Sequence, residues 1–117
     1  MRPRYLATAL AVMLALPAAA SADEYDAALR CLTLIEIAKI DYTAENVDAL
    51  RQASDIYLAE ADRTRPAGLS DQEKLDRYLA VVARVQEEGG LAAEAGRAEA
   101  VACAAAHGID LVLPVPD

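Results

Sequence analysis

Residues 24–41 read EYDAALRCLTLIEIAKID, and this stretch decides the fold. Wound at 3.6 residues per turn, Ala28, Cys31, Leu34, Ile35 and Ala38, with Tyr42 just beyond, form one uninterrupted apolar face. Leu29, Leu32, Ile37 and Ile40 add apolar area elsewhere, which predicts the most buried helix of the chain. Cys31 lies near the middle of that face. The second of the two cysteines, Cys103, lies near the end of the last helical pattern. In an oxidising compartment such a pair is read as a disulfide tying first helix to last.

Three more helical segments follow. A pattern over 44–63 places Val47, Leu50, Ser54, Tyr57, Leu58 and Ala61 on an inner face, with Thr43 as the expected cap and Glu45 in the first turn. Arg65-Pro66-Ala67-Gly68 ends it. The third segment, 71–88, opens with Ser70-Asp71-Gln72-Glu73, the pattern of a capping box. Leu75, Tyr78, Leu79, Val82 and Val85 follow at helical spacing, and Gly89-Gly90 stops it. The fourth segment, 91–107, is rich in alanine. Ala92, Gly96, Ala100 and Cys103 line one side with small groups, which invites a close neighbour. Gly108 reads as a left-handed C-cap, with Ile109 folding back over the last turn. Short connections make successive helices antiparallel neighbours, so the expected fold is all-α, a small antiparallel four-helix bundle with Cys31 bridged to Cys103.

The first 22 residues carry an address. Arg2 and Arg4 precede an apolar run from Leu6 to Leu16, Pro17 ends it, and Ala20-Ser21-Ala22 has the small-x-small form of a signal peptidase site. The run is too short to span a bilayer, which takes about 20 residues. A leader cleaved after Ala22 is expected, followed by a single helical domain over 23–117 in the periplasm or outside the cell. Removing Arg2 and Arg4 leaves nine basic and 19 acidic residues, a net charge of −10 with His107 neutral. That balance opposes nucleic acid and anionic lipid. A monomer or weak homo-oligomer is expected, and no membrane association once the leader is gone.

The chemistry-bearing residues are few. Glu99, Cys103 and His107 recur at every fourth position on one helix face, and all three side-chain types ligate zinc. A disulfide would consume Cys103, and His107 in a last helical turn already favours the helix dipole. Haem attachment through Cys-x-x-Cys-His is absent, and without the leader there is no Met to serve as an axial ligand. No nucleophile is paired by spacing with a base, and no glycine-rich phosphate loop occurs. No cofactor and no enzymatic activity are expected. The apolar end, with Leu111, Val112, Leu113 and Val115 between prolines, is extended. It is expected either to pack across the bundle or to serve as an arm for a partner protein. The sequence therefore reads as a small non-enzymatic binding or interaction module. An acid-stress chaperone is the alternative, and a metal or haem carrier using His107 a second one.

Overall fold

A computed structural model describes residues 24–114. The expected leader and cleavage site, and Val115, lie outside the described residues. Among the described residues there are four α-helices, one 3-10 turn and no strand. Helix α1 spans 24–41, α2 Thr43–Thr64, α3 Asp71–Glu87 and α4 Glu94–Ala105, with the 3-10 turn Gly90–Ala92 between α3 and α4. Among the described residues no helix is long and apolar enough to cross a membrane.

The face expected of α1 is the one that is buried. Leu34, Ile35 and Ala38 are almost fully enclosed, and Leu29 and Leu32 join them. Ile40 is the exception and stands in solvent. Cys31 and Cys103 are at disulfide-bonding distance, with Cα atoms 5.7 Å apart, so the bridge joins α1 to α4. Closing a loop of 72 residues stabilises the fold by about 4 kcal/mol in the chain-entropy model. A second tie lies beside it. The Arg30 guanidinium donates to Glu99 on α4 (Nη2 to Oε1, 2.9 Å) and to Glu88 at the end of α3. Those hydrogen bonds, Glu99 first, raise the guanidinium above its usual range.

Helix α2 departs from expectation at its start and along one edge. Tyr42, not Thr43, is the residue that precedes the first helical one, and it makes no side-chain cap. At Asn46 the backbone leaves helical angles (φ −131°, ψ 21°). The buried edge is Leu50, Ala53, Ser54, Tyr57, Ala61 and Thr64. Val47 and Leu58, expected inside, are half exposed: Val47 follows the break at Asn46, and Leu58 sits one residue round from the Leu50–Tyr57–Ala61 line. The polar members of the edge are satisfied, Ser54 Oγ donating across to Glu36 on α1 (2.5 Å) and Thr64 Oγ1 to the Glu60 carbonyl within α2 (2.7 Å).

Helix α3 starts with the expected capping box. Glu73 N–H donates to Ser70 Oγ and Ser70 N–H to Glu73 Oε1, both at 3.1 Å. Helix α4 starts three residues later than its composition predicts. Gly89 and Gly90 both take positive φ, and Ala93 is extended (φ −85°, ψ 141°), so residues 90–92 close a separate 3-10 turn. Arg97 braces that turn by donating to the Leu91 and Ala92 carbonyls at 2.9 and 3.0 Å. The small-residue side of α4 does receive a close neighbour, but it is this turn: a Cβ on Gly96 would lie 1.9 Å from the Gly90 carbonyl oxygen. The far end of α4 follows expectation. Gly108 N–H donates to the Ala105 carbonyl and Ile109 N–H to Ala104, and Gly108 takes φ +73°, a Schellman ending with Ile109 buried over the last turn.

The main core gathers Leu34 and Ile35 of α1, Leu50 and Tyr57 of α2, Val85 of α3, Leu91 of the turn, Ala100 and Ala104 of α4, and Ile109 and Leu111 of the tail. Tyr25, Ala28, Leu29 and Ala61 form a smaller cluster around the start of α1.

Candidate functional site

The least covered element is α3. Of the five apolar positions expected on one face, only Val85 is buried, while Val81, outside that set, is half-buried and packs against both core clusters. Tyr78 and Val82 are half-buried, while Leu75 and Leu79 are 49% and 54% exposed. Leu58 of α2 is 50% exposed. Leu58, Leu75 and Tyr78 stand over Tyr25, Leu29 and Leu32 of α1, and together they border an open groove of about 410 Å³. Charged side chains rim it: Arg65 and Lys74 on one account, Glu36, Asp62 and Asp71 on the other. Arg65 is already engaged, donating to the Leu69 carbonyl and to Asp71 (3.3 Å). Burial of half-exposed leucines is worth up to about 25 cal/mol per Å² removed from water, so this face carries unspent apolar surface.

Tyr25, at the edge of the groove, is 1% exposed, and its hydroxyl has no hydrogen-bond partner among the described residues. Burial pushes the phenol up from its usual range, with Arg65 and Arg77 pulling the other way. The Arg77 guanidinium lies 6.0 Å from the ring centroid. Tyr25 was missing from the face derived from sequence, although Tyr25, Ala28, Leu29 and Leu32 have the spacing i, i+3, i+4, i+7. Its acidic neighbours, Glu24 and Asp26, hid it.

The tail packs. From Ile109 to Pro114 exposure alternates, with Ile109 and Leu111 buried, Leu113 half-buried, and Asp110, Val112 and Pro114 outward. Asn46, itself buried, holds the strand-like segment by its side-chain amide: Nδ2 donates to the Val112 carbonyl at 2.8 Å, and Val112 N–H donates to Oδ1 at 3.0 Å. Tyr42 Oη donates to the Pro114 carbonyl at 3.4 Å. Sequence patterning did not single out Asn46, because a polar residue early in a helix is ordinary.

The Glu99–Cys103–His107 face is divided among separate partners. Glu99 is bound to Arg30, Cys103 to Cys31, and His107 is exposed and meets the Tyr57 ring edge-on at 5.1 Å. Among the described residues no three His, Cys, Asp or Glu side chains gather to hold a metal ion. Tyr57 itself supports the bridge. The His107 N–H turns to Ala104, so the buried Cys103 carbonyl is served by the Tyr57 hydroxyl at 2.6 Å.

Comparison with family models, with curated proteins and with solved structures finds no match for the chain.

Proposed function

We propose that the chain is a non-enzymatic interaction module of the periplasm or extracellular space, exported by its cleaved leader and docking a partner protein on the exposed stripe of α3. The observation that carries this reading is the mismatch between the amphipathic pattern of α3 and its single buried residue, Val85. A helix of this length gains most of its stability from covering its apolar face, and here half of that face is left for another surface. The half-exposed Leu58 extends the same surface across the groove. The reading takes the helices as an antiparallel bundle with α1 beside α4, which the one-residue joint at Tyr42 and the bridge near the two chain ends support.

The test is affinity capture from the native envelope with oxidised protein, comparing the wild type with the double variant Leu75→Glu, Leu79→Glu. Both positions are exposed, so the variant is expected to melt like the wild type. A partner held by the wild type and lost by the variant supports the reading. Identical capture by both proteins refutes it.

A further inference from the structure

Helix α3 carries two stripes, and the chain itself uses only one. Tyr78, Val81 and Val85 turn inward to the core. The other stripe runs Gln72, Leu75, Leu79, Val82 and Gln86, at alternating steps of three and four residues. That spacing is the seam of a coiled coil, so the cover it fits is another helix. Gln72, Leu75, Leu79 and Gln86 are exposed, and Val82 is half-buried outside both core clusters. No residue of the seam is charged.

Charge selects which helix. The chain has a net charge of −8, so a second copy is admitted only where like charges do not meet. Asp71 and Asp76 border the N-terminal half of the seam, and both are engaged: Asp71 by Arg65 at 3.3 Å, and Asp76 by Gln72 Nε2 at 2.9 Å. The equivalent bordering positions further along are Tyr78, Ala83 and Val85, all uncharged. A second α3 laid antiparallel sets each acidic half beside an uncharged half, whereas a parallel one sets carboxylate against carboxylate. The seam is also self-complementary about Leu79, with glutamine at each end and apolar residues between. Self-complementarity is what a two-fold interface requires.

We propose that the occupant of this face is a second copy of the chain, its α3 packed antiparallel on this one about a two-fold axis near Leu79. The proposal rests on the reading of α3 as a docking face and names what docks there. The seam is short, against the roughly three to four heptads that sustain a coiled coil alone. Its half-exposed leucines, with Leu58 beside them, fall short of the about 800 Å² per partner of a standard interface. The dimer therefore exchanges with monomer, with a dissociation constant on the order of micromolar to millimolar.

Sedimentation equilibrium of the oxidised wild type, up to about 1 mM chain, should show a monomer–dimer equilibrium. It should tighten with salt, as repulsion between two acidic copies is screened. Leu75→Glu with Leu79→Glu should weaken it more than about tenfold, since carboxylates would be buried against carboxylates. Orientation is tested by Gln72→Glu together with Gln86→Lys, which suit the helix dipole and leave the core untouched. Antiparallel packing sets each new acid beside a new base of the other copy, so association should tighten roughly three- to tenfold. Unchanged or weaker association of that variant overturns the proposal. So does a wild type that stays monomeric at the highest concentration. If an envelope partner is still captured by that monomer and lost on Leu75→Glu with Leu79→Glu, the docking face stands and only its occupant is wrong. Dimerisation undiminished by those two substitutions also overturns the proposal, by placing the contact elsewhere.

Discussion

Replacing Gly96 by alanine sets two opposed effects against each other, and the geometry says which wins. Gly96 lies inside α4 with an ordinary φ, so alanine there gains about 1 kcal/mol in helix propensity. Its Cβ, however, would meet the Gly90 carbonyl oxygen at 1.9 Å, against the 3.0 Å that real Cβ contacts essentially never undercut. The neighbour is backbone and has no rotamer to change. The 3-10 turn must retreat by more than 1 Å, stretching both bonds from Arg97 and lifting Leu91, now 4% exposed, from the core. Overpacking costs about 1–3 kcal/mol, and partial exposure of a leucine adds about 1 kcal/mol. The net expectation is destabilisation of about 2 kcal/mol, a drop in Tm of roughly 8–16 °C for a domain of this size. Thermal unfolding of oxidised protein, followed by far-UV circular dichroism, measures it. Gly108→Ala is the control: nothing lies within 4 Å, so it incurs only the left-handed backbone strain of about 1–2 kcal/mol. A Gly96→Ala protein that melts at or above the wild type would refute the packing of the turn against α4.

Two tyrosines should respond oppositely to loss of the hydroxyl. Tyr57→Phe leaves the buried Cys103 carbonyl unserved and should cost about 1–2 kcal/mol in urea unfolding, whereas Tyr25→Phe removes a hydroxyl with no partner and should be neutral or stabilising. A Tyr25→Phe loss as large as that of Tyr57→Phe would mean that the Tyr25 hydroxyl is bonded. Glu73 is held below its usual range by the Ser70 backbone and hydroxyl, so its folded pKa is depressed. Its contribution is therefore full above the ordinary glutamate range and disappears as pH falls through the folded value. In acid titrations of helicity, Glu73→Gln should remove that component, and a titration identical to wild type would contradict it.

What was legible in the chain was whatever local chemistry determines. The face of α1 follows from periodicity, the start of α3 from Ser70 and Glu73, and the end of α4 from Gly108. Each needs only neighbours within a turn or two. The bridge was legible for another reason: two cysteines leave one intramolecular pairing. The start of α4 was hidden because alanine favours helix at every position from 91 on, while the break depends on Gly90 lying against Gly96. Asn46 was invisible because its partner, Val112, is 66 residues away. Periodicity along α3 identified its apolar face but not how much of that face the rest of the chain covers. Val47 and Leu58 show the same limit on α2, where a one-residue rotation and a backbone break moved them outward.

Arg30 immediately precedes Cys31, and Glu99 lies one helical turn before Cys103. The charged pair therefore aligns the same two helices at the height where sulfur meets sulfur. Reduced chains can bring their thiols into register before any oxidant acts, and oxidation then locks an encounter already arranged. Because both partners remain partly open to solvent, that early alignment should weaken as salt rises. The pace at which the bond is made would then carry a dependence on ionic strength that the finished molecule, once sealed, no longer feels.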